Sequence, residues 1–215
     1  MPEGQKAIYF MTGQSREAIE HSPHLEAFKT RGFEALLLTD PVDELWAAAP
    51  LLYKEKGFQS IAKGDLDLET DDEKKQAEEQ RAKQAESLKS LTECLKAKLE
   101  KHVKEVRLSK RLTASPACLV GDEMDISPFL EKLLKAAGQG APETKRILEI
   151  NPDHPIVQSL QALHDRNAAD PLLGDYAELL YGQAILAEGG QPPDSHAFSR
   201  KLADLMQRAM NPGGA

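Results

Sequence analysis

The stretch Lys6-Ala7-Ile8-Tyr9-Phe10-Met11 is a nearly continuous apolar run, which is typical of a β-strand covered on both faces. A helical region follows, with Ser15 as its predicted N-cap and Gly32 as the left-handed residue that ends it. Residues 35–38 form a second apolar run. A strand, a helix and a strand of these lengths predict a parallel pair with a right-handed crossover. Residues 58–61 predict a third strand, which completes a small α/β unit over residues 1–64.

A second unit begins with a long helix, predicted over residues 71–102. Its apolar face is formed by residues at steps of three or four, namely Leu88, Leu91, Leu95, Leu99 and Val103. Residues 106–108 and 117–120 predict an antiparallel hairpin, and residues 146–150 predict a third strand. The pattern indicates an α+β domain that contains a three-stranded sheet.

The charge of the chain is unevenly distributed. Residues 65–86 carry nine acidic and four basic side chains, whereas residues 87–112 carry eight basic and three acidic ones. The first of these segments has almost nothing to bury after Leu68, so it is interpreted as a solvated acidic linker that passes into the long helix. The domains are therefore predicted as residues 1–64, a linker over 65–86, and a C-terminal domain over 87–215.

Four more helices are predicted in the C-terminal domain, one of them after the turn at residues 151–155 with Ile156, Val157, Leu160 and Leu163 as its apolar residues. Ser127 and Pro128 predict the start of a short amphipathic helix. The regions 172–186 and 195–210 predict two longer helices with wide apolar faces. Two helices in a hairpin cannot bury that much apolar surface, so a homodimeric four-helix bundle is the arrangement we expect.

The composition excludes several classes of protein. The formal net charge is −8 and the pI is near 5.3, which argues against a general nucleic-acid binder. No apolar run approaches the roughly 20 residues that span a bilayer, and no signal peptide is recognisable. Cys94 and Cys118 lack metal-type spacing, so reduced thiols in the cytoplasm are expected.

No catalytic motif or metal site is predicted. The histidines in His21-Ser22-Pro23-His24 are interrupted by proline and have no nearby thiol or carboxylate partner in the pattern. Gly13 lies in a strand-to-helix turn but has no following Lys-Ser/Thr, so it is a weak indication of a phosphate loop. Neither a nucleophile elbow nor a zinc-protease or kinase signature occurs.

Several segments, in order over nearly the whole chain, resemble the bacterial branch of the heat shock protein 90 chaperone family. They are IYFMTG at 8–13, SPHLE at 22–26, GFEALLLTDPVDE at 32–44, VRLSKRLT at 106–113 followed by Pro116-Ala117, and EINPDHP at 149–155. The resemblance implies the last subdomain of that family's middle domain followed by its C-terminal dimerisation domain. It implies that the ATP-binding domain, with ATP and magnesium, precedes residue 1. This chain would then have no cofactor and no ATPase site.

The resemblance also implies two kinds of surface. The predicted client-binding residues are Trp46, Met124, Ile126, Phe129, Leu130 and Leu133. The predicted dimer-interface residues are Leu172, Leu173, Tyr176, Leu179, Leu180, Ile185, Phe198, Leu202, Leu205 and Met206. The expected function is homodimerisation and binding of non-native client proteins in protein folding and stress response, without enzymatic activity of this chain.

Two alternatives remain open from the residues alone. The chain could be a small α/β nucleotide-binding enzyme that uses the Gly13 turn and is fused to a helical dimeriser. It could also be a purely structural dimerisation module in which the helix after Ser127 is buried. Pattern alone favours core packing for Trp46 and for that helix.

Overall fold

The structure is a computed structural model that describes residues 1–2, 4–47, 49, 52–69, 71–140 and 144–210, without the side chains of residues 71, 72 and 75–77. Its α/β architecture contains two small mixed sheets and eight α-helices within these ranges. The first sheet lies within residues 8–60 and the second within residues 103–150, and we call the parts of the chain built around them the first and the second unit. None of the helices in this part of the chain is long and apolar enough to cross a lipid bilayer.

The first sheet has four strands in the order β2-β1-β4-β3. Strand β1 (Ile8–Thr12) pairs in parallel with β2 (Ala35–Leu38) and with β4 (Lys56–Ser60), which confirms the predicted parallel unit. Strand β3 (Leu52–Tyr53), which pairs antiparallel with β4, was not predicted from the sequence. The turn between them has positive φ at Lys54 and Glu55, where hairpins usually place Asn or Gly, so the usual sequence signal is absent.

Helices cover both faces of this sheet. Helix α1 (Arg16–Glu20) is capped by Ser15, whose side chain accepts a hydrogen bond from the Ala18 N–H. Helix α2 (Glu26–Arg31) follows a 3-10 turn and ends at Gly32, which has a φ of 65°. Both caps are as predicted. The core on this side is made by Tyr9, Met11, Ile19, Leu25, Phe28 and Ile61. The opposite face is covered in part by helix α3 (Asp43–Ala47).

The predicted long helix is present as α4 (Asp71–Lys98). At 1.5 Å per residue its 28 residues extend about 42 Å. It ends four residues before the predicted end, because the chain turns after Leu99 to enter strand β5 (Val103–Leu108). The predicted leucines of its apolar face are all buried in the core of the second unit.

The second sheet has three strands, as predicted, but the predicted hairpin is wrong. The order is β5-β7-β6, so β7 (Arg146–Ile150) lies between β5 and β6 (Ala117–Val120). Strand β7 pairs in parallel with β5 and antiparallel with β6. The central strand β7 is buried from Ile147 to Ile150, including the charged residue Glu149. The central strand carries Arg146 and Glu149 and is less apolar than the edge strand β6, so apolar content alone does not decide the strand order.

Helices α4 and α7 (Leu172–Ala187) pack on the second sheet, and three further helices complete this unit. Helix α5 (Pro128–Ala136) is capped by Ser127, as predicted, and α6 (Pro155–Arg166) begins after His154. Helix α7 packs on β6 and α4 and contributes six residues to the buried interior. Helix α8 (Ser195–Met210) contributes none, since no described residue of this helix is buried. Helices α7 and α8 thus form a hairpin in which α8 is largely exposed to solvent.

Candidate functional site

Trp46 is held by an aromatic cluster on the second face of the first sheet. Its ring lies 5.6 Å from that of Phe58, edge to face, and 6.4 Å from that of Phe10. The indole N–H donates a hydrogen bond of 2.9 Å to the carboxylate of Asp43. Trp46 is therefore half-buried and fixed in orientation. One part of its ring packs against the sheet, and the other part is accessible to solvent.

Exposed apolar side chains lie on the elements next to Trp46. Val42 and Leu45 are 61% and 73% exposed beside or within α3, and Leu52 and Tyr53 on β3 are 75% and 58% exposed. With Trp46 these residues define the Trp46 surface. The sequence analysis identified only the tryptophan. Leu45 could have been found, because it belongs to the same short helix and is not needed for the core.

The predicted residues around α5 have unequal exposure. Met124 is 94% exposed in the loop before the helix, and Ile126, Leu130 and Leu133 are half-buried. We call these four residues the α5 surface. Phe129 is only 9% exposed and faces a small cavity lined also by Met11 and Ile19 of the first unit. Phe129 therefore belongs to the packing between the two units in this structure.

A single hydrogen bond joins the Trp46 surface to the α5 surface. The hydroxyl of Ser127 donates to the carboxylate of Glu44, with 2.5 Å between the two oxygens, and both side chains are buried. The same hydroxyl oxygen accepts from the Leu130 N–H at 2.9 Å and so caps α5. Glu44 lies two residues before Trp46 on α3. The two predicted client-binding elements are thus held together although they belong to different units.

The predicted dimer-interface residues divide into core and surface positions. Leu173, Leu180 and Ile185 are buried within the chain's own core. Half-buried positions are Leu172, Tyr176, Leu179, Phe198 and Leu205. Leu202 and Met206 are 41% and 57% exposed. Met210, at 73% exposed, extends the same stripe by one more step of four residues, and this periodicity was available in the sequence.

Ionic contacts hold α8 against α7. The ammonium of Lys201 lies 2.7 Å from Asp175 and 2.8 Å from Glu178. Burial lowers the pKa of Lys201, but its hydrogen bonds to the two carboxylates outweigh that effect and raise the pKa overall. These pairs leave the exposed stripe of α8, Leu202, Met206 and Met210, directed away from the ion cluster.

The junction between the units is built from buried polar groups. The Arg111 guanidinium donates to the carboxylate of Glu149 at 2.9 Å and to the carbonyl oxygens of Ile61 at 2.6 Å and Gly64 at 2.8 Å. Burial raises the pKa of Glu149, but the charge and hydrogen bonds of Arg111 lower it more, so the carboxylate stays ionised. Because the carbonyls belong to the first unit and Glu149 to β7, this arginine fixes their relative position.

A second carboxylate secures the same junction. Glu26 of α2 accepts hydrogen bonds from the N–H groups of Thr113 and Ala114, both 2.7 Å, and from the N–H and hydroxyl of Ser115. Burial acts to raise the pKa of Glu26, and these hydrogen bonds lower it further than burial raises it. The loop before β6 is therefore anchored on the first unit.

Gly13 and the two cysteines are the remaining candidates for chemistry named from the sequence. The Gly13 N–H donates to the carbonyl of Leu38, and a side chain at this position would meet Ile19 at 2.7 Å, so packing explains this glycine. Within the described ranges no three His, Cys, Asp or Glu side chains come together to hold a metal ion. Cys94 and Cys118 are free thiols, and burial raises the pKa of Cys118 well above its ordinary value.

The fold defines a two-unit α/β protein with two sets of exposed apolar residues. One set lies on α3, β3 and the loop before α5, and the other lies on α8. Comparison with known proteins gives its family. The model of the "Hsp90 protein" family matches residues 1–213, and the chain belongs to this family.

Curated relatives agree with this family. The chain is 52% identical over 210 residues to the "Chaperone protein HtpG" of Frankia casuarinae, covering 98% of this chain and 32% of the relative. It is 50% identical over 210 residues to the protein of that name in Rhodococcus jostii and over 216 residues to that in Nocardia farcinica, covering 98% of this chain and 33% of each relative. The chain thus spans about a third of the length of the curated relatives it matches.

Proposed function

We propose that this chain is the C-terminal part of an ATP-dependent molecular chaperone, in which it forms a homodimer and binds non-native client proteins. The proposal places it in the cytoplasm and assigns ATP hydrolysis to a region outside this chain. The observation that carries it is the Glu44–Ser127 hydrogen bond, which joins the Trp46 surface to the α5 surface. The relatives' name, chaperone protein HtpG, supports the same function.

Client binding is proposed for the exposed members of the two surfaces. Val42, Leu45 and Met124 are each more than half exposed and make no contribution to the core clusters. Exposed apolar residues grouped on neighbouring elements are typical of a protein-binding surface. Met124 adds a flexible, polarisable side chain that adapts to different partners. Trp46, Leu130, Leu133 and Ile126 support this surface from half-buried positions, and Phe129 stabilises it from within.

Dimerisation is proposed through the open faces of α7 and α8. Each fully buried Leu or Met side chain contributes about 1.5–3 kcal/mol. Two copies of the stripe Leu202, Met206 and Met210, with Leu186 at the end of α7, offer enough apolar area to offset the cost of association. A dimer would present two client surfaces, so that weak contacts hold one partly folded chain by avidity.

Client binding is tested by suppression of aggregation of a thermally unfolded reporter enzyme. The double variant Leu45→Ser/Met124→Ser should lose most of the suppression, because both side chains are exposed and absent from the core. Ile156→Ser is the matched control, since Ile156 is 42% exposed on α6, away from both surfaces. Equal suppression by the double variant and the parent chain would contradict the client-binding site.

Dimerisation is tested by sedimentation velocity. The parent chain should sediment as a dimer at tens of micromolar, roughly the concentration at which a weak dimer still forms. Leu202→Asp/Met206→Asp should sediment as a monomer, because it places charges in the proposed interface, whereas Ile156→Asp should remain dimeric. A monomeric parent chain would exclude the proposed interface at these concentrations.

The second candidate is a purely structural dimerisation module, which the burial of Phe129 favours. It predicts a dimer that has no effect on reporter aggregation. The nucleotide-binding enzyme is a weaker candidate, because the Gly13 N–H is already bonded to the carbonyl of Leu38. Saturable binding of a nucleotide that Gly13→Ala abolishes would support it against our proposal.

A further inference from the structure

A basic cavity of about 450 Å³ lies beneath α5. Its walls come from α5, the C-terminal end of α7 with the loop after it, the first residue of β7, and the turn between α4 and β5. Its volume falls within the range of roughly 300–1,000 Å³ that is usual for small-ligand sites. The cavity is separate from the Trp46 surface and from the exposed stripe of α8.

The cavity is positively charged although the chain is acidic. Five cations line it, namely Lys101, Lys132, Lys135, Lys145 and Arg146. Among the described residues, two carboxylates line it, and each already has a partner: Glu131 pairs with Lys135, and Glu188 pairs with Arg146. The described lining therefore carries three positive charges more than negative ones, in a chain whose formal net charge is −8.

The three remaining ammonium groups have unused hydrogen-bond donors. Lys132 donates to the carbonyl of Gly189 at 2.6 Å, and Lys145 donates to the carbonyl of Glu100 at 2.7 Å. These bonds fix the two side chains without neutralising them. Neither they nor Lys101 pairs with a carboxylate in the part of the chain that the structure describes. A lysine ammonium has three donors, so each can bind a further acceptor.

The lining of the cavity is mixed, with apolar and aromatic side chains beside the charged ones. Leu119 of β6 and Ile185 of α7 are almost fully buried where they face the cavity. His102 stacks on Tyr181 at the rim, with 5.1 Å between the ring centres. Where apolar side chains lie beside the charges, they strengthen the attraction of these charges for an anion.

We infer that this cavity is a binding site for a compact, multiply charged oxyanion, either a phosphorylated small molecule or a polycarboxylate. The site is built by Lys101, Lys132 and Lys145, which approach from three different elements. An anion that contacts all three would tie α5 to the α4–β5 turn and to the segment before β7. The ligand would therefore set the position of the helix that carries Leu130 and Leu133. The inference does not depend on client binding or on dimerisation.

The site is tested by isothermal titration calorimetry of the chain with tripolyphosphate and, separately, with citrate. Lys101→Gln/Lys132→Gln/Lys145→Gln should weaken binding at least about 100-fold, and Lys101→Gln alone roughly tenfold, which corresponds to about 1.4 kcal/mol. The single variant is informative even if the triple variant folds poorly, because Lys101 is outside the core. The matched control is Lys83→Gln/Lys89→Gln/Lys96→Gln, which removes the same charge from exposed positions of α4.

The outcomes are distinct. Saturable binding at one site per chain, retained by the control variant and lost in the triple variant, supports the inference. Tighter binding of tripolyphosphate would indicate a phosphorylated ligand, and tighter binding of citrate would indicate a polycarboxylate. Absence of saturable binding, or equal weakening in the triple and control variants, overturns it. Tighter binding of a hexaglutamate peptide at equal ionic strength also overturns it, because the groove would then belong to an acidic peptide.

Discussion

Ser127 donates a buried hydrogen bond to Glu44 while its hydroxyl oxygen caps helix α5, so one side chain connects the position of α3 to the stability of α5. These residues are 83 positions apart and lie in different units. The contact makes the Trp46 surface and the α5 surface parts of one structure. Changes at either residue should therefore affect both surfaces.

Ser127→Ala should destabilise the chain and loosen α5. Loss of an N-cap costs about 1 kcal/mol, and the buried Glu44 carboxylate loses its donor, so we expect about 1–3 kcal/mol in the free energy of unfolding. Urea unfolding measures the loss, and hydrogen exchange of the α5 amides localises it. Ser199→Ala, an exposed change on α8, should have almost no effect. Unchanged exchange in α5 would contradict the capping role.

Local patterns in the sequence predict the strands and caps but not how the strands are ordered. The apolar runs at β1, β2 and β6, and the caps at Ser15 and Ser127, depend on neighbouring residues and were confirmed. The predicted hairpin of β5 and β6 was wrong because β7, far along the chain, lies between these two strands and pairs with both. Both β6 and β7 are buried over nearly their whole length, so apolar content does not reveal which of them is central, and a short alternating segment such as 106–108 does not reveal it either.

The polar contacts that assemble the candidate site were also beyond sequence reasoning. Glu44, Arg111 and Glu149 look like ordinary charged surface residues, yet all three are buried and paired over long sequence separations. No local periodicity marks such pairs. The exposed stripe of α8 was predictable, because a step of four residues is a local property of the helix.

Glu26→Gln should reduce stability at neutral pH and flatten its acid dependence. The pKa of Glu26 is lowered below 4.5 in the folded chain, so its ionised form contributes stability above that pH. This contribution is lost as the pH falls through the lowered folded-state pKa. The difference in unfolding free energy between parent and variant should therefore be present at pH 7 and shrink below about pH 4. A difference independent of pH would contradict the proposed role of the charge.

Arg111→Met should be among the most destabilising single changes in the chain. It leaves Glu149 without its buried cation, although Arg107 still pairs with that carboxylate at 2.8 Å, and it removes the donors to the carbonyls of Ile61 and Gly64. Breaking a buried ion pair costs about 3–5 kcal/mol. Arg16→Met is the control, since Arg16 forms an exposed pair with Glu20 worth at most about 1 kcal/mol. Similar urea midpoints for the two variants would show that the junction does not depend on Arg111.

Gly182→Ala should separate α8 from α7. A Cβ atom at residue 182 would lie within 2.5 Å of the Phe198 ring, so the aromatic side chain that seats α8 must move. Such overpacking costs about 1–3 kcal/mol, and it displaces the stripe of Leu202 and Met206 proposed for dimerisation.

Gly174→Ala is the matched control in the same helix, because its Cβ would meet only the Lys98 side chain at 3.9 Å. Alanine there should be neutral or stabilise by up to about 1 kcal/mol. Urea unfolding and sedimentation measured together should show lower stability and a weaker dimer for Gly182→Ala alone. Equal behaviour of the two variants would mean that the Gly182–Phe198 contact does not hold the helices together.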